Sequence, residues 1–154
     1  MEITDILSEK GVIAHLKASS KKQALQELAQ HAAEISGLDE RVIFDALLER
    51  ERLGTTGVGL GIAIPHAKLA QIDRLYALFA RLDQPVDFDA VDEQPVDLMF
   101  LLLAPESAGA DHLKALARVS RLLRNQTVCE KLRGADSAEA IYAVLSDTEA
   151  SQAA

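Results

Sequence analysis

The sequence predicts an α/β fold in a single domain, and three observations lead there. Short β-rich segments alternate with stretches of helical apolar spacing from one end of the chain to the other. No repeat of 20 to 50 residues and no Gly/Ser/Pro linker divides the chain. A length of 154 residues fits one domain, and a chain of that size buries about 68–70% of the surface of its unfolded form, enough for a core of its own.

Taken in order, Val12 to Leu16 reads as a short strand. Ser20 caps a helix through Ser36 that Gly37 ends, with Leu25, Leu28, Ala29, Ala32 and Ile35 on one face. Asp39 caps a second helix, where Val42, Ile43, Ala46 and Leu47 recur at helical spacing and Arg50-Glu51-Arg52 forms the last turn before Gly54. Strands are expected over 61–65, 75–81 and 96–103, the last two separated by the Asp/Pro/Gln-rich connection 83–95. A helix over Asp111 to Arg124 follows, then shorter ones over 126–133 and 137–146, the second opened by Asp136 and Glu139 as a capping box. The domain is drawn as residues 1–148. The tail Glu149 to Ala154 is expected to be disordered, having little apolar surface to offset its ordering entropy.

Composition excludes several classes. The longest apolar run, Leu98 to Ala104, is far shorter than the roughly 20 residues of a membrane helix. The first residues are acidic where a signal peptide is basic, so the expectation is a cytoplasmic protein without membrane insertion. A single cysteine, Cys129, excludes an internal disulfide framework and argues against a thiolate zinc site. Sixteen basic against 24 acidic side chains give a net charge of −8, which repels nucleic acid and favours a basic protein surface as partner.

The most informative stretch is Gly57-Val58-Gly59-Leu60-Gly61-Ile62-Ala63-Ile64-Pro65-His66-Ala67, a glycine-rich turn running into a short apolar strand that ends in Pro-His. Pro65 fixes its own φ, lacks an N–H and biases Ile64 toward extended geometry, so His66 is aimed from a stiff strand end. Imidazole acts near neutral pH as base, metal ligand or nucleophile. The glycines fit neither a Walker loop, which needs Lys and Ser/Thr where Leu60-Gly61 stand, nor a Rossmann turn, which needs a small residue at Ile62. Two readings of them remain: they shape a turn, or their amides join the Thr55 and Thr56 hydroxyls as donors to phosphoryl oxygens.

Of the other histidines, His15 and His31 share faces with apolar neighbours and read as partly buried structural imidazoles. His112 falls on the stripe of Leu116, Val119 and Leu123, yet also in the first helical turn. The helix dipole there disfavours the cation and leaves a neutral ring able to donate a proton. Arg50, Arg52 and Lys68 all read as solvated cations; of these, a guanidinium suits a phosphoryl group because it supplies two parallel bonds. Glu51 receives no role. The acidic run Asp83 to Asp97 fails as a calcium loop, since Asp92 stands where glycine is required, and it reads as a solvated turn. Nothing fixes two of those carboxylates on one face for glycoside hydrolysis, and neither H-E-x-x-H nor G-x-S-x-G occurs.

The segment Arg50-Glu51-Arg52-Leu53-Gly54-Thr55-Thr56-Gly57-Val58-Gly59, followed by Gly61-Ile62-Ala63-Ile64-Pro65-His66, resembles the phosphorylation-site region of the enzyme IIA proteins of the bacterial phosphoenolpyruvate-dependent sugar phosphotransferase system. The resemblance is to the fructose/mannitol class and closest to its stand-alone nitrogen-regulatory branch. Pro85-Val86-Asp87-Phe88-Asp89-Ala90-Val91-Asp92, Gln94-Pro95-Val96-Asp97-Leu98 and Asp111-His112-Leu113 extend it over roughly residues 3 to 148.

The resemblance implies a mixed β-sheet flanked by helices and a phosphocarrier whose His66 takes a phosphoryl group on Nε2 from a small protein similar to HPr, with no cofactor, metal or nucleotide taking part. It selects Arg50 among the cations, makes His112 the second active-site histidine, and turns Thr55, Thr56, Gly57, Gly59 and Gly61 into the phosphate-binding loop. The nitrogen-regulatory branch implies targets such as potassium-transport regulators and sensor kinases, read according to phosphorylation state. The alternatives are a sugar-transport IIA that passes phosphate to a IIB domain and, in another class, a binding module that is never phosphorylated.

Overall fold

A computed structural model describes residues 2–153, with side chains as far as Asp147. Six helices, α1 (Ile3–Ile6), α2 (Lys21–Ser36), α3 (Glu40–Arg52), α4 (Ala110–Leu123), α5 (Gln126–Gly134) and α6 (Ala138–Ala153), flank six strands. The strands are β1 (Val12–Leu16), β2 (Gly57–Gly59), β3 (Ile62–Ala63), β4 (His66–Leu69), β5 (Tyr76–Val86) and β6 (Val96–Pro105), in the order β1-β5-β6-β3-β2, with β4 also on β6. β1 runs parallel to β5, β5 antiparallel to β6, and β3 and β4 parallel to β6, so the sheet is mixed as expected.

The apolar run of β6 is explained by burial on both faces. Met99, Leu101 and Leu103 pack with Leu25, Leu28, Ile43 and Leu47 of α2 and α3. Leu98, Phe100 and Leu102 pack with Val119, Leu122, Leu132 and Ile141 of α4, α5 and α6. Phe79 meets Phe100 edge-on at 6.3 Å on the second face. The layers are therefore helices, sheet, helices.

The expected caps of the two long helices are present: Ser20 accepts the Gln23 N–H at 3.1 Å, and Asp39 accepts the Arg41 N–H at 2.8 Å. Gly37 closes α2 with φ +78°. Before α6 the structure corrects the expected cap, since the Ser137 hydroxyl, not Asp136, accepts the Ala140 N–H at 3.1 Å. That helix, expected to end near residue 146, runs on to Ala153 into the tail expected to be disordered; Ala154 and the side chains of 148–153 lie outside the described residues. His15, expected to be partly buried, is exposed, because its ring turns outward to Asp83 Oδ1 at 2.8 Å and to the Asp136 carbonyl at 2.8 Å. Both ring nitrogens thus face acceptors, and these bonds raise its pKa. His31 is partly buried, as read.

The expected strand over 61–65 is two strands in line on one edge of β6, broken at Ile64-Pro65. Pro65 has no N–H for the ladder. The Ile64 N–H donates instead to the Thr56 carbonyl at 3.0 Å, and pairing with β6 resumes where the Leu102 N–H reaches the Pro65 carbonyl at 3.0 Å. His66 is the first residue after this break.

Candidate active site

The partners of His66 decide its tautomer. Nδ1 lies 2.8 Å from the Ile64 carbonyl oxygen, which only accepts, so Nδ1 carries the proton. The Arg50 Nε–H donates to Nε2 at 3.3 Å, so that nitrogen holds the lone pair. Burial lowers the pKa of His66, with the Arg50 charge adding to the effect. The result is a neutral imidazole with Nε2 as its nucleophilic atom.

Arg50 stands in the last turn of α3, and its Nη1–H donates to the Gly54 carbonyl at 2.9 Å, which holds the guanidinium across the mouth of the next loop. His112 enters from the first full turn of α4, 5% exposed, its ring centroid 5.7 Å from that of His66. Its Nδ1 is buried with no hydrogen-bond partner. Burial lowers its pKa, and repulsion from His66, whenever that ring is protonated, and from Lys68 lowers it further. Arg50, His66, Lys68 and His112 line one cleft of about 520 Å³, together with Leu53 and Leu113, two leucines that are 82% and 67% exposed.

The structure brings Arg50, His66 and His112 together and does not bring the loop to them. The Thr55 hydroxyl donates to the Phe88 carbonyl at 2.8 Å and accepts the Gly57 N–H at 3.0 Å. The Thr56 hydroxyl donates to Glu51, and Thr56 is 4% exposed. Gly59 and Gly61 belong to the β2–β3 hairpin, whose far side is pinned by Asp92, Asp97 and Arg133: Leu60 N–H donates to Asp92 at 2.9 Å, and Arg133 donates to the Leu60 carbonyl at 2.8 Å. None of these five residues lines the cleft. The loop residues expected to cradle phosphate are thus committed to holding the turn; hydroxyls and amides next to a glycine run look the same in sequence whether their partner is a ligand or the chain.

Glu51 and Lys68 were missed. Lys68 alternates with His66 along β4, a period-2 relation the sequence offered once His66 opened a strand. Glu51, read as idle, is 5% exposed and accepts from the Thr56 N–H at 3.0 Å, the Thr56 hydroxyl and Lys21 at 3.0 Å. The acidic connection is likewise less idle than expected, since Asp97 takes two bonds from Arg133 at 2.8 and 2.9 Å.

The sheet order and the strand-end imidazole beside a guanidinium and a second imidazole define a IIA-type phosphotransfer domain. The fold overlays on mannitol IIA from Escherichia coli with a TM-score of 0.77 at 20% identity, covering 90% of this chain and 98% of that one. Residues 5–148 match the family described as phosphoenolpyruvate-dependent sugar phosphotransferase system, EIIA 2, and the chain belongs to that family, a phosphotransferase component. It is 60% identical to the nitrogen regulatory protein of Bradyrhizobium diazoefficiens over 94% of this chain and 95% of that one. It is 42% identical to a fructose-specific EIIA component of Haloferax volcanii over 84% of each chain. The nitrogen regulatory protein IIA-Ntr from Neisseria meningitidis superposes with a TM-score of 0.88 at 36% identity, covering 93% of this chain and 98% of that one. Among the described residues, no helix is long and apolar enough to cross a membrane.

Proposed function

We propose that the protein is the phosphohistidine carrier of a nitrogen-regulatory phosphotransferase system, acting in the cytoplasm through residues 1–148. His66 Nε2 attacks the phosphorus of a phosphohistidine on an HPr-like donor; its lone pair forms the new N–P bond, and the pair of the breaking bond returns to the donor ring. Nδ1–H stays on the Ile64 carbonyl, which stabilises the positive charge the ring gains. Arg50 loses its partner as Nε2 is taken, and its N–H groups turn to the phosphoryl oxygens, joined by the ring N–H of His112. Positioning and charge stabilisation are what such a transfer requires of a protein. The observation that carries the reading is the tautomer of His66, with its lone pair on the nitrogen that faces Arg50.

The exposed Leu53 and Leu113 at the cleft offer a donor an apolar seat, and the net charge of −8 favours a basic one. Likeness to nitrogen regulatory proteins at up to 60% identity favours regulatory targets, potassium-transport regulators and sensor kinases among them, over a IIB domain. A phosphoryl group adds roughly −1.5 to −2 charges at the docking surface, so binding to such targets weakens on phosphorylation. Incubation with phosphoenolpyruvate, enzyme I and the HPr-like carrier, read by intact mass, should add one acid-labile, base-stable phosphoryl group to the wild type and none to a folded His66→Ala variant. Labelling of that variant refutes the assignment. Pull-downs with free and phosphorylated protein test the regulatory part, and a partner set consisting of a IIB component alone returns the protein to sugar transport.

A further inference from the structure

The carbonyl that fixes the proton of His66 is itself fixed by a line of hydrogen bonds that begins two helices away. Ile64 lies in the break between β3 and β4, where the sheet ladder no longer holds it. Its N–H is held instead by the Thr56 carbonyl at 3.0 Å, and its carbonyl receives His66 Nδ1–H at 2.8 Å. Thr56 in turn is gripped twice by one carboxylate, its N–H by Glu51 Oε1 at 3.0 Å and its hydroxyl by Oε2. Lys21, at the start of α2, closes the line with Nζ 3.0 Å from Glu51 Oε1, its ammonium 4.7 Å from the centre of the Phe88 ring.

Stability alone does not account for Glu51. A carboxylate in the last turn of a helix opposes the dipole, and at 5% exposure it also gives up its hydration. Its three donors offset that cost. Two of them belong to the residue that holds Ile64, and its sequence neighbour is Arg50. One helical turn therefore places both the guanidinium and the support of the imidazole.

We propose that Glu51 is the positioning residue of His66: through Thr56 and Ile64 it holds the proton on Nδ1 and so presents the Nε2 lone pair to Arg50 and to the incoming phosphorus. This rests on His66 as the phosphoryl acceptor, but the tautomer is measured without phosphorylation. In ¹⁵N-histidine-labelled protein, long-range ¹H–¹⁵N spectra of the wild type should show the Nδ1–H form. Glu51→Gln should bring in the Nε2–H form, remove hydrogen-exchange protection from the Ile64 amide, and slow single-turnover transfer by about tenfold or more. Thr56→Val, which keeps the N–H and the shape but loses the hydroxyl, should shift the ring signals the same way by less, and it carries the test if Glu51→Gln does not fold.

Ring signals unchanged in the folded variants overturn the proposal, as does a loss of transfer with the tautomer intact, which assigns Glu51 to loop packing alone. A wild type that takes no phosphoryl group on His66 refutes the carrier function instead, and leaves the tautomer shift as a separate result.

Discussion

Replacing Arg50 by lysine keeps the charge and removes the fork. In the structure the guanidinium serves two acceptors at once, His66 Nε2 at 3.3 Å from Nε and the Gly54 carbonyl at 2.9 Å from Nη1. A lysine ammonium has one nitrogen on a flexible stem and cannot span that pair while also meeting a phosphoryl oxygen. The loss in the transition state is that of one charge-assisted hydrogen bond, about 1.5–3 kcal/mol. At about 1.4 kcal/mol per decade, this makes transfer roughly 10- to 150-fold slower. With the donor seated on the exposed leucines as proposed, the donor concentration for half-maximal rate should stay within about twofold. Single-turnover transfer from the phosphorylated HPr-like donor, quenched in base and resolved by intact mass, gives both quantities. Arg52→Lys is the control: Arg52 is exposed and does not itself line the cleft, and a lysine there keeps the charge that faces Glu49 at 3.1 Å, so it should match the wild type. An Arg50→Lys rate within twofold of the wild type would refute the role of the fork.

Because burial lowers the pKa of His66 from its ordinary 6.5, the transfer rate should rise with pH to a plateau whose midpoint lies below 6.5; a midpoint above it contradicts the described environment. The same depressed values at His66 and His112 mean the unfolded chain takes up protons first, so their stabilisation is present above 6.5 and is lost as pH falls, visible as a lower urea midpoint in acid. His15 has the opposite sign: its raised pKa stabilises below 6.5 and fades as pH climbs through the raised value, so His15→Ala should lower the urea midpoint at about pH 6 and leave it nearly unchanged at about pH 9. Gly61→Ala puts a methyl group 2.6 Å from Arg133 Nη2 at φ +81°, and should cost about 1–3 kcal/mol in denaturant titration while His66 is still phosphorylated. Loss of phosphorylation in that variant, still folded, would return the hairpin to the phosphate site.

Long helices were legible because their stop and start residues act locally: Ser20, Asp39 and Gly37 do in the structure what their side chains and φ preferences dictate. β6 announced itself as an apolar run. β2 and β4 did not, since a strand of Gly57–Gly59 and one beginning at a Pro-His step offer no alternation long enough to read. The placement of His66 at a stiff step in the sheet edge was legible from the glycine-rich stretch and Pro65, whereas Arg50 differs from Arg52 only by which side of α3 faces β4, and resemblance had to choose. Glu51 was not legible at all. Its partner Lys21 lies 30 positions away in sequence, and nothing in a run Arg-Glu-Arg tells a buried carboxylate from a solvated one.

Leu53 and Leu113 both line the cleft, one just past α3 and one in the opening turn of α4, both bare to solvent. In the isolated protein the cleft beside them is open to water, so on the proposed function a phosphohistidine at His66 would last only as long as hydrolysis allows. A partner seated on the two leucines, as proposed above, would expel that water and deliver a competing imidazole in the same motion. On that reading persistence and hand-over depend on the same two leucines, and a change at either should alter how long the mark lasts and how readily it is passed on together.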